Sequence, residues 1–249
     1  MLVGRNPERT AATVSRIQQA TGNPHVEGLL ADLSTQAQVR HLAGEFQGRF
    51  TRLDVLLNNA GAFFAQRHVS DDGIEMTLAL NHLGYFLLTH LLLDTLKATP
   101  AARIVNVSSE AHRLARFNFA DPQGKHRYGG WRAYGQSKLA NLLFTYELAQ
   151  RLAGTDITAN AVHPGLVATR FGHNNRGLMA LCIRIAQCMA LSPEQGAETL
   201  IYLATSPTVA GVTGMYFVKK RSVESSKASY DQAAAQRLWQ LSAELTGLS

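Results

Sequence analysis

Tyr134 and Lys138 stand four residues apart in the stretch Tyr134-Gly-Gln-Ser-Lys138. On a helix that spacing puts both side chains on one face, near enough to touch. A free tyrosine phenol titrates near pH ~10, and a neighbouring ammonium favours the phenolate and lowers that value. The pair is therefore a candidate proton donor and acceptor tuned toward neutral pH. An exposed helix with an ordinary polar pair has the same spacing, so the pair needs company before it means catalysis. Val105-Asn-Val-Ser-Ser109 reads as a buried strand closing on two hydroxyls, with Ser109 twenty-five positions before Tyr134 (134 − 109). Asn58-Asn-Ala-Gly61 closes the apolar strand Leu53-Asp-Val-Leu-Leu57, and its small residues let backbone approach a flat ligand.

The elements needed to bring these groups together are legible. Short apolar runs alternate with amphipathic segments, the pattern of strand-helix-strand crossovers and a parallel sheet. The strands fall at 2–3, 25–30, 53–58, 103–108, 157–163 and 215–218. Helices fall at 7–20, 34–48, 71–96, 134–152, 193–205 and 229–245. In such a sheet the C-terminal strand ends converge on one crevice where ligands bind, so a serine, a tyrosine and a lysine could meet there. Residues 110–133 read as a polar loop beside the Tyr134 helix. Residues 165–191 contain an apolar piece, 178–191, that reads either as a flap over the site or as a helix buried against the core or a partner subunit.

Composition narrows the class. The chain has 249 residues, 46% of them hydrophobic, enough for one α/β domain spanning 1–249. No run approaches the ~18 uninterrupted apolar residues of a membrane span, and no secretion signal opens the chain. The expectation is a soluble, cytoplasmic protein. Cys182 and Cys188 are too few for a disulfide framework or a zinc site, and no metal is expected. The net charge of +6 favours anionic partners. The basic residues are scattered except for Lys219-Lys220-Arg221, without interleaved aromatics, which argues against nucleic acid and for a phosphorylated small ligand.

Taken together, these motifs resemble the short-chain dehydrogenase/reductase family. Asn58-Asn-Ala-Gly61, Asn81, Asn106-Val-Ser-Ser109, Tyr134-x-x-x-Lys138 and His163-Pro-Gly165 with Thr169 occur in its order and spacing. Ser108-Ser-Glu-Ala-His112, Tyr134-Gly-Gln-Ser-Lys-Leu-Ala-Asn141 and the ending Arg237-Leu-Trp-Gln-Leu-Ser-Ala-Glu-Leu-Thr-Gly247 are similar to its retinol dehydrogenase branch. The resemblance implies a Rossmann-like doubly wound parallel sheet. It also implies an oxidoreductase that interconverts an apolar alcohol with an aldehyde or ketone by hydride transfer. Tyr134 would be the general acid or base, and Ser109 would hydrogen-bond the substrate oxygen. Lys138 would hold the nicotinamide ribose and depress the Tyr134 pKa. Asn81 resembles the family asparagine that anchors a water between lysine and solvent, with a helix cap as the plainer alternative. Self-association into a homo-oligomer through helices 71–96 and 134–152 is also implied.

Cofactor preference follows from a few positions. In dinucleotide folds an acid after the second strand suits ribose hydroxyls, and an arginine suits a 2′-phosphate. Gly4-Arg5 has no acid and Arg5 can fork onto phosphate oxygens, so NADP is expected over NAD. Asp32-Leu33 resembles the pair that contacts adenine, although Asp32 before Ser34 is equally capping chemistry. Asn59, Ala60 and Gly61 would run along the dinucleotide, and Pro164, Gly165, Val167 and Thr169 would line its nicotinamide end. No glycine-rich strand-to-helix turn of the G-x-G-x-x-G kind occurs. The expectation is a chain lacking the family's first strand and pyrophosphate loop, with a discontinuity at the centre of its sheet. That departure keeps a noncatalytic binding or scaffold protein open as the alternative. Membrane attachment through 176–191 is weaker, because Arg184 interrupts the apolar run and no lysine accompanies it.

Overall fold

β4 (Arg103–Val107) shows how strand alternation makes a two-faced sheet. Ile104 shares a core with Phe144 and Leu148 of the long helix 130–151, while Val105 and Val107 share another with Leu203 of the helix 193–205. Successive side chains leave a strand on opposite faces, so each face has its own helix. β4 pairs in parallel with β3 (Val55–Asn58) on one side and β5 (Thr158–His163) on the other. β5 pairs in parallel with β6 (Tyr216–Val218), and β7 (Arg221–Ser222) closes the sheet antiparallel. This architecture comes from a computed structural model in which residues 1–165, 167 and 191–248 are described.

A second, two-stranded parallel ladder joins β1 (Leu2–Gly4) to β2 (Gly28–Leu30), with Leu2 opposite Gly28. Among the described residues no strand bridges β1 and β3, so the expected discontinuity is present. Val3 is 36% and Leu57 43% exposed beside it. Among the described residues the helices are α1 (Pro7–Thr21), α2 (Gln36–Arg49), α3 (Met76–Leu78), α4 (Gly84–Leu91), α5 (Leu93–Lys97), α6 (Gly130–Arg151), α7 (Pro193–Thr205) and α8 (Gln232–Thr246).

Several expected boundaries shift for local reasons. The helix expected over 71–96 starts at Met76, because both carboxylate oxygens of Glu75 accept main-chain N–H groups, from Thr77 and Leu78, at 2.9 Å each. Five residues of it, Ala79–Leu83, form a π-helical turn between α3 and α4, a feature often found at functional sites. The expected loop 110–133 opens instead as a 3-10 turn, Glu110–Leu114, and α6 begins one turn before Tyr134. β7 was not expected. Lys219 and Lys220 both have positive φ (49° and 62°) between the paired Val218 and Arg221, the geometry of a two-residue hairpin turn. The one contiguous basic run is therefore a hairpin tip, with Lys220 Nζ donating to Glu198 at 2.7 Å.

Candidate active site

Three parallel strand ends build one wall of a cavity of about 810 Å³. Asn59, Ala60 and Gly61 follow β3, Ser108 and Ser109 follow β4, and His163, Pro164 and Gly165 end and follow β5; Val167 lines the same space. α6 supplies Tyr134 and Lys138 from across the crevice. The helix is tied to the strand by the Ser108 hydroxyl, which donates to the Lys138 main-chain oxygen at 2.8 Å. Ser109 caps the 3-10 turn, its hydroxyl accepting the Ala111 N–H at 3.3 Å, and it also hydrogen-bonds the Tyr134 phenol.

Lys138 is 3% exposed, and its Nζ donates to the Val107 carbonyl at 3.0 Å. Burial pulls its pKa down to about 7, since a low-dielectric surrounding disfavours the ammonium. The same cause pushes Tyr134 up to about 12, with the Ser109 hydrogen bond working the other way. This corrects the expectation of a phenol acidified by its neighbour. The Lys138 Nζ lies over the Tyr134 ring, 5.7 Å from its centre, and is itself desolvated, so burial prevails over charge. Tyr134 is therefore held in its proton-donor form at neutral pH.

Asn81 is fully buried in the π-helical turn. Its Oδ1 accepts the Ala62 N–H at 2.9 Å and its Nδ2 donates to the Ala62 carbonyl at 3.0 Å and the Ser137 hydroxyl at 3.1 Å. It thus clamps the segment after β3 and caps no helix; Glu75 does that. Its own main-chain oxygen accepts from Asn141 Nδ2 at 2.9 Å. A Cβ added to Gly61 would stand 3.3 Å from Asn81 Oδ1 and 3.5 Å from Lys138 Nζ. A side chain there would press on the Asn81 amide by a few tenths of an ångström and touch the lysine amine at ordinary contact distance.

The residues expected at the adenine end lie outside this cavity. Arg5, Asp32 and Leu33 do not line the cavity. Arg5 is 72% exposed in its side chain and stands 3.7 Å from the carboxylate of Asp32, the acid that follows β2. An exposed pair of this kind holds weakly and leaves the guanidinium free to meet a phosphate. Asp32 also accepts the Ser34 N–H at 2.9 Å and its hydroxyl at 2.6 Å, a local turn ahead of α2 rather than a helix cap, since the N-cap of α2 is Thr35. Leu33 packs against the main core. Thr169, both cysteines and residues 178–190 lie outside the described residues.

Sequence reasoning missed Trp131, Glu110, Ala111, Gly196, Ala197 and Leu200, all of which line the cavity. Trp131 had a signal: it stands three residues before Tyr134, on the same helix face. The cavity otherwise fits a nicotinamide dinucleotide. It joins small residues where backbone can meet a flat ring, one buried amine and two hydroxyls at one end. Among the described residues there is no cluster of three metal-ligating side chains and no helix long and apolar enough to cross a membrane.

Comparison with known proteins agrees with this geometry. Residues 1–178 match the family model for short chain dehydrogenases. Mouse retinol dehydrogenase 12 is 40% identical over 237 residues, which is 95% of this chain and 75% of that protein. Human polyprenol dehydrogenase is 38% identical over 255 residues, covering 100% of this chain and 77% of that one. The crystal structure of an uncharacterised protein from Mycobacterium paratuberculosis superposes with a TM-score of 0.75 at 32% identity, over 98% of this chain and 82% of the other. The chain belongs to the short-chain dehydrogenase family, in its retinol dehydrogenase-like branch.

Proposed function

We propose that the protein is an NADP-preferring oxidoreductase that interconverts an apolar, retinoid-like alcohol and its aldehyde or ketone. The observation that carries this reading is the meeting of the Ser109 hydroxyl, the Tyr134 phenol and the Lys138 amine in one large cavity. A bound nicotinamide cofactor supplies or takes up the hydride. In reduction, Tyr134 passes its proton to the carbonyl oxygen, and its strongly protonated state suits that direction. Ser109 donates a second hydrogen bond to the same oxygen and fixes its place. Lys138, with a pKa of about 7, is already partly cationic at neutral pH, and that cationic form steadies the phenolate left when Tyr134 gives up its proton. Asn81 holds Ala62 and so fixes the segment that would line the cofactor. Asn59, Ala60, Gly61, Pro164, Gly165 and Val167, with Thr169 by sequence position, would hold the dinucleotide in this reading, and Arg5 would meet its 2′-phosphate.

The apolar substrate is supported by the lining: Ala62, Ala111, Trp131, Val167, Ala197 and Leu200 surround the hydroxyls. NADPH consumption measured against a panel of medium-chain and isoprenoid aldehydes tests the proposal. Turnover is expected, and Tyr134→Phe is expected to lower the rate by roughly 10²- to 10⁴-fold. A parent chain that turns over none of them, or a Tyr134→Phe variant equal to the parent, overturns it. Calorimetric titration that detects no NADPH binding favours the scaffold alternative.

A further inference from the structure

Tryptophan is highly buried on average, yet Trp131 is 55% exposed at the wall of the catalytic cavity. Its position is fixed from behind. The indole lies on Phe63, with ring centres 4.5 Å apart at 43°, and Phe63 is fully buried. Phe63 meets the Tyr134 ring edge-on at 6.1 Å, and Trp131 meets it at 6.4 Å and 85°. The start of α6 is pressed onto the same support. A Cβ at Gly130 would fall 2.6 Å from the Phe64 carbonyl oxygen and 2.9 Å from the Ala65 Cα. Two aromatic rings, Tyr134 and Trp131, thus line the cavity side by side with Phe63 packed behind both, while Val167, Ala197 and Leu200 of the same cavity are small or aliphatic.

We propose that Trp131 is a specificity-determining residue, a platform that selects substrates whose carbonyl carbon carries a flat, conjugated or aryl-bearing chain over saturated chains of equal length. The inference rests on the oxidoreductase reading of the site. A chain leaving a carbonyl held at Tyr134 meets Trp131 within its first few carbons, because the two residues are one helical turn apart. A conjugated chain gains ring stacking there beyond the area it buries, whereas a saturated chain gains the area alone. Trp131 does not touch the reacting oxygen, so its effect falls on binding of the tail.

The test compares an aryl-conjugated enal with its saturated analogue of equal carbon number. In the parent the kcat/KM ratio favours the enal. Trp131→Leu, which keeps an apolar side chain, is expected to lower that ratio about tenfold, mainly through KM. Trp131→Phe is expected to keep most of it. Binding is read separately by fluorescence in a Tyr134→Phe background that blocks turnover. The chain has two tryptophans, and the parent-minus-Trp131→Phe difference isolates Trp131 without altering Trp239. The enal is expected to quench this signal at lower concentration than the saturated aldehyde. An unchanged ratio in Trp131→Leu, or equal quenching by both aldehydes, overturns the proposal. Preferential quenching without turnover by the parent sinks the oxidoreductase reading and leaves the platform standing.

Discussion

The two ladders of this molecule are built from similar sequence and held by different amounts of burial. α6 is buried without interruption from Tyr134 to Thr145, and β5 from Thr158 to Val162. α1, on the smaller ladder, buries a single residue, Thr10, and β2 buries only Leu29. The groups proposed to do chemistry are therefore embedded in a close-packed interior, which tolerates little movement. Arg5, proposed to choose the cofactor, stands on a surface joined by one short ladder. Proton affinities are shifted strongly at Tyr134 and Lys138 because both are desolvated. Chemistry and cofactor choice should accordingly fail separately, and by very different amounts.

The sharpest way to break this comparison is a matched pair of truncations. Ile104→Ala, in the middle of β4, is expected to lose about 2–5 kcal/mol of stability. Val3→Ala, at the open side of β1, is expected to lose less than about 1 kcal/mol. Urea midpoints at constant slope read both, and similar losses would mean that the ladders are equally supported.

Next comes the pH dependence conferred by Lys138. Its pKa is about 7 in the folded protein and near ~10.4 in an unfolded chain, so the unfolded state binds more protons between those values. Stability must rise with pH across that window, and the full burden of a buried ammonium is felt below pH ~7. The gain in thermal midpoint of the parent relative to Lys138→Met should therefore grow from pH 7 to about 10. Parallel midpoint curves for the two proteins would refute the desolvated amine.

The smallest effect belongs to the surface. Arg5→Ser is expected to shift the NADPH-to-NADH ratio of kcat/KM by about tenfold toward NADH, with the thermal midpoint little changed. A change in midpoint as large as that of Ile104→Ala would place Arg5 in the structural half.

Much of this was readable from residue order. The strand ends near Asn58, Ser108 and His163, the shared face of Tyr134 and Lys138, and α7 at Pro193–Thr205 all follow from residue pattern and spacing. These signals act over a few residues. The π-helical turn around Asn81, the start of α6 at Gly130 and the Lys219-Lys220 hairpin did not follow, because each depends on what a distant segment places beside it. Arg5 is an example. Its local sequence contains no acid, and Asp32 reaches it only because β1 and β2 pair.

Residue types and spacing by themselves determined that a phenol, an amine and a hydroxyl would share one crevice above a parallel sheet. Only the tertiary structure decided their protonation and what surrounds them: a phenol held neutral, an amine brought to near-neutral affinity, and an open indole beside both. The reason is physical. Side-chain spacing is a property of the local backbone, whereas desolvation is summed over every neighbour that excludes water, and those neighbours come from β3, β4, β5 and the turn at Ala79–Leu83 at once.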